Sequence, residues 1–147
     1  MRERTLCRQQ MASDLMKAYR DVVSEELPQG ITQTEVYDMV VVRQAPRFYI
    51  DPRRAHLRIS RMMRGDYSEL EELNPLKQMM YRDLFEVVMR LSHRKSYKSL
   101  YAVLKDAVLE NAPRFYISGK RMGQIWRMKN EESRLARMKR YENKYKA

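Results

Sequence analysis

Cysteine is nearly missing from this chain of 147 residues: Cys7 stands alone, so no disulfide framework can form and no cysteine-based metal site can be built from it. Glycine occurs four times, scattered singly, so there is no glycine-rich loop to cradle a phosphate. Only five prolines and one tryptophan are present. Two histidines, His56 and His93, sit in no metal-ligand spacing. No apolar run approaches the roughly 20 residues of a membrane-spanning helix. The first ten residues, with Arg2, Arg4 and Arg8, lack the apolar stretch of a secretory leader. These absences lead us to expect an intracellular, cytoplasmic protein with no cofactor, no metal and no membrane partner.

What the chain has in abundance is methionine (twelve) and basic side chains, with 30 Lys and Arg against 19 Asp and Glu. Apolar residues make up 44%, enough to bury a core. Poor in glycine and proline, the composition favours helices, and an all-α fold is expected. The net charge of +11 is unevenly placed. Residues 1–10 carry +2, residues 51–65 carry +4 and residues 93–147 carry +10, while residues 11–50 carry −2 and residues 66–92 carry −3. A surface made only for solubility mixes its signs, whereas clustered cations point to a polyanionic partner.

Ala45-Pro46-Arg47-Phe48-Tyr49-Ile50 recurs without change as Ala112-Pro113-Arg114-Phe115-Tyr116-Ile117, 67 residues later. Weaker similarity follows, Ile59–Met62 with Ile125–Met128, and precedes, Tyr19–Asp21 with Tyr81–Asp83, if small gaps are allowed. This pattern predicts two related three-helix units, residues 1–65 and 75–130. An acidic linker at 66–74 would join them, and a basic helix or arm at 131–147 would follow. Two copies are too few for a solenoid but suit a pseudo-twofold pair on a shared core.

Local signals place the helices. Cys7, Met11, Leu15, Ala18 and Val22 form one apolar stripe, broken at Leu27-Pro28-Gln29-Gly30. Thr32 and Glu35 have capping-box spacing ahead of a second helix, which Pro46 should stop at Ala45. Asp51-Pro52 opens a third, ending at Gly65, and Asn74-Pro75 opens a fourth. A break is expected at Ser92–Ser96, then a helix carrying Tyr97, Leu104 and Val108, and finally one capped by Ser118. The run Val40–Val42 has strand propensity within the second of these helices.

The aromatic residues of the hexapeptide suit either core plugs that set helix angles or an exposed platform for stacking on bases. Arg47 and Arg114 are not needed for packing and are candidate phosphate contacts. Each following helix is basic, with Arg53, Arg54, Arg58 and Arg61 in the first copy and Lys120, Arg121, Gln124 and Arg127 in the second. Arginine can bond bidentately to guanine and glutamine to adenine, while other cations hold phosphates. In outline each unit resembles a helix-turn-helix, with helices at 33–45 and 51–64, then at 96–111 and 118–130. Its connection is longer than the usual three or four residues and lacks the usual glycine.

Catalytic patterns are thin. Ser92-x-x-Lys95 and Tyr101-x₃-Lys105 each fix two positions without a supporting fold signature, and Glu69, Glu71 and Glu72 fit a solvated linker. The expectation is a protein that is not an enzyme. It binds nucleic acid, DNA rather than RNA, as a regulator or accessory factor of the kind that phages and mobile elements carry. The competing reading is a structural or adaptor protein whose basic face meets an acidic protein partner.

Overall fold

Helices begin where a side chain can accept the free amides of a first turn. Thr32 Oγ1 accepts from the N–H of Glu35, the Asp51 carboxylate from Arg53, Asn74 Oδ1 from Lys77, Ser99 Oγ from Ala102 and Ser118 Oγ from Arg121. In the computed structural model, which describes residues 3–145, seven helices follow one another. They are α1 (Glu3–Val23), α2 (Gln33–Val41), α3 (Pro52–Met63), α4 (Ser68–Glu71), α5 (Pro75–Arg94), α6 (Leu100–Ala107) and α7 (Gly119–Tyr145). The fold is all-α among the described residues, with a single antiparallel bridge between Ala45 and Ala112 as its only β pairing.

That bridge explains why two helices stop early. α2 ends at Val41 and α6 at Ala107, about one turn short of the prolines expected to end them. Ala45 donates its N–H to the Ala112 carbonyl at 2.8 Å and accepts from the Ala112 N–H at 2.9 Å, so both residues are extended. The carbonyl of Val41 accepts from Phe115 at 3.0 Å and that of Val108 from Phe48 at 2.9 Å. Carbonyls left over at two helix ends are thereby satisfied from across the molecule.

Other boundaries differ in informative ways. α5 runs through Ser92 to Arg94, so the expected break begins later. The acidic stretch 66–74 holds the short α4, anchored by Leu70, which is only 1% exposed. α7 continues unbroken from Gly119 to Tyr145, so the charged C-terminal stretch is an extension of the last helix.

One apolar core gathers Leu15 and Val22 of α1, Val36 and Val40 of α2 and Ala55 and Ile59 of α3. It continues through Leu84 and Val88 of α5, Val103 and Leu104 of α6 and Met122 of α7. α1 packs on α2, and α5 on α6. α3 lies against α6 and α5, and α7 against α2 and α1. α2 and α3 are not closely packed on one another, nor are α6 and α7. The crossing of α7 over α2 is close, since a Cβ added at Gly123 would stand 2.8 Å from the Tyr37 ring.

Candidate nucleic-acid interface

The repeated hexapeptides lie side by side at the centre of the molecule. Phe48 and Phe115 are buried, the Phe48 ring 6.0 Å from that of Tyr116 and the Phe115 ring 6.0 Å from that of Tyr49, both pairs near parallel. The Tyr49 hydroxyl donates to Asp14 of α1 at 2.6 Å, and the Tyr116 hydroxyl donates to Asp83 of α5. The carboxylates in equivalent places are thus Asp14 and Asp83, not the Asp21 and Asp83 that the upstream sequence pairing implies. Burial pushes both tyrosine hydroxyls well above their ordinary ionisation range, and the bonded carboxylates push them further. Tyr116 has φ +59, in the left-handed region, and Tyr49 does not. These aromatics fill the core.

The two hexapeptide arginines are drawn into that packing. Arg47 is half-buried, donates from Nε to the Phe48 carbonyl at 3.0 Å, and lies 5.9 Å from the Tyr49 ring centroid. Arg114 is also half-buried, and its Nε is buried without a hydrogen-bond partner.

The basic side chains of α3 separate into two groups. Arg58 donates to the Tyr81 hydroxyl at 3.0 Å, lies over that ring at 4.9 Å, and comes within 3.9 Å of Glu69. Arg61 forms an ion pair with the same glutamate. These two guanidinium groups tie α3 to α4 and α5. Arg53 and Arg54 sit one turn earlier and are exposed. On α7, Lys120, Arg121 and Arg127 are exposed, while Gln124 is half-buried and accepts from Arg121 at 3.1 Å. Of the ten residues singled out from the sequence, five therefore face solvent as cations.

A cleft of about 680 Å³ brings Arg54, Arg58 and Arg121 together with Arg8 of α1, Lys77 of α5 and Lys129 of α7. Sequence reasoning did not select Arg8 or Lys77 as binding residues. Neither lies in a local motif, and only the folded chain brings them to one cleft.

Beyond residue 129 the side chains of α7 are exposed as far as they are described. Arg134 pairs with Glu131 at 2.6 Å and Lys129 with Glu132 at 3.5 Å. Leu135, Met138 and Tyr141 are exposed beside them. Among the described residues no cluster of His, Cys, Asp and Glu is arranged to hold a metal, and no helix is long and apolar enough to cross a membrane. Comparison with family models, with curated proteins and with solved structures yields no match.

Proposed function

We propose that this chain is a non-enzymatic nucleic-acid-binding protein for double-stranded DNA, built from two related three-helix units that have exchanged their third helices. Support for the relatedness comes from matched positions. The caps Thr32 and Ser99 stand 67 residues apart, as do Asp51 and Ser118 and the two hexapeptides. In this reading α3 and α7 are the helices that meet the duplex, in the role of the second helix of a helix-turn-helix but supported from the opposite unit.

The observation that carries the reading is the exposure of Arg53, Arg54, Lys120, Arg121 and Arg127 on α3 and α7. Arg53 and Arg54 in the first turn of α3, and Lys120 and Arg121 in that of α7, are placed for phosphate oxygens, which also favour the positive helix end. The distal half of α7, with Arg134, Arg137, Lys139 and Arg140, adds charge along the backbone path.

Fluorescence anisotropy with random-sequence duplex at several salt concentrations tests this. Five phosphate contacts would give a log–log salt slope of about −4.5. The variant Lys120→Ala/Arg121→Ala/Arg127→Ala should bind more weakly and flatten that slope by about 2.7. Absence of binding at low salt, or an unchanged slope in the variant, overturns the proposal.

A second reading is favoured by one observation. Met128, Leu135, Met138 and Tyr141 are exposed along α7, 48–65% of each being accessible, although backbone phosphates need no apolar contact. An assembly or adaptor protein with an acidic partner would use them. Its association would bury apolar area and depend less on salt.

A further inference from the structure

The cleft of about 680 Å³ has a lining that phosphate binding leaves unexplained. Its floor is formed by Met11, Ile50, Met80, Phe115, Ile117 and Ile125, from helices α1, α5 and α7 and from both hexapeptides. Its rim carries Arg8, Arg54, Lys77 and Arg121, all exposed. Two acids, Asp51 and Glu132, line the cleft against six cations. The Asp51 carboxylate caps α3 by accepting from the Arg53 N–H at 3.0 Å, and Glu132 pairs with Lys129 at 3.5 Å. Among the described residues Arg8, Arg54, Lys77 and Arg121 form no ion pair.

Like charges around an apolar concavity repel one another, and an anion entering it relieves that repulsion. A phosphodiester backbone would engage the rim and leave the floor of Met and Ile without a partner. An anion attached to an apolar body engages both. The volume falls within the roughly 300–1,000 Å³ of small-molecule sites, which are mainly apolar with a few polar groups that fix orientation. Methionine side chains adapt to ligands of varied outline.

We propose that this cleft binds a small amphiphilic organic anion. The Arg54 and Arg121 guanidinium groups hold its carboxylate or phosphate head, and its apolar chain lies on the Met11, Met80, Ile117 and Ile125 floor. The site does not depend on the DNA reading, although Arg54 and Arg121 serve in both, so it is tested with no nucleic acid present.

Isothermal titration calorimetry of the full chain uses decanoate, decyl phosphate, decanol, decyltrimethylammonium and inorganic phosphate as probes. The expected result is stoichiometric binding of decanoate or decyl phosphate, at least about tenfold tighter than decanol. The stronger of the two identifies the head group. Decyltrimethylammonium and inorganic phosphate should not saturate in the same range. Arg54→Glu/Arg121→Glu should weaken the anionic probe by about tenfold or more. Its melting temperature should stay unchanged, since both side chains are exposed. The proposal is overturned if neither anion binds, if decanol matches them, if inorganic phosphate matches them, or if the double variant binds as before.

Discussion

Tyr49 and Tyr116 reach from the repeated hexapeptides to carboxylates on two different helices, and their hydroxyls carry a pH dependence into the fold. Folding holds each hydroxyl above its unfolded ionisation near pH 10, because burial and then the carboxylate oppose the anion. Below about pH 10 both states carry neutral tyrosine and the contribution is complete. As pH rises further the unfolded chain ionises first, so stability is lost on the alkaline side. Tyr49→Phe/Tyr116→Phe should be less stable at neutral pH, by about 1 kcal/mol per lost bond, and show a shallower alkaline decline. Urea titrations between pH 7 and 11 measure both; an identical alkaline slope in the variant would remove the tyrosines from the explanation. A second residue-scale test is Gly123→Ala. Helix propensity favours alanine by about 1 kcal/mol, and overpacking opposes it by about 1–3 kcal/mol. Tyr37 is buried and has the Tyr19 ring 6.3 Å away, which restricts its retreat. The clash should win, lowering the urea midpoint. A raised midpoint would mean that the ring yields freely.

At the scale of elements, the two halves of α7 have different duties. Met122 and Gly123 are buried against α2, and the Trp126 ring stacks on Tyr19 at 3.8 Å, whereas residues 130–144 are exposed. A chain ending at residue 130 should therefore melt within a few degrees of the full protein and bind duplex DNA with a shallower salt slope. A large fall in melting temperature would show that the distal half supports the core. Helix starts were legible in the sequence, since Thr32, Asp51, Asn74 and Ser118 all act as the caps their spacing implied. A cap needs only a local acceptor and a local amide. The ends of α2 and α6 were not legible, because the extended pairing of Ala45 with Ala112 joins segments far apart in the chain. The contacts of Arg58 were not legible for the same reason: Tyr81 and Glu69 belong to other elements.

At the scale of the whole molecule, α3 buries one face, and no local signal names the helix that covers it. Ala55, Ile59 and Met62 mark the face, and any complementary stripe would serve as a partner. The observed partner, α6, lies beyond α5 in the chain. This arrangement predicts that fragments 1–66 and 67–147 stay largely unfolded when separate and regain helix together when mixed. Circular dichroism of each fragment and of the equimolar mixture checks it. A fragment that folds alone and monomeric would show that the packing of α3 on α6 is not required for folding.

The same crossing has a bearing on synthesis. α3 is complete at Met63, yet Val103, Leu104 and Ala107 of its partner are made some 40 residues later. At about 5–20 residues per second, that leaves the part of the α3 face that α6 covers exposed for roughly 2–8 s on each nascent chain. Release of a chain truncated inside α5 would make the exposure permanent, so incomplete products should aggregate or be degraded rather than persist as half-molecules.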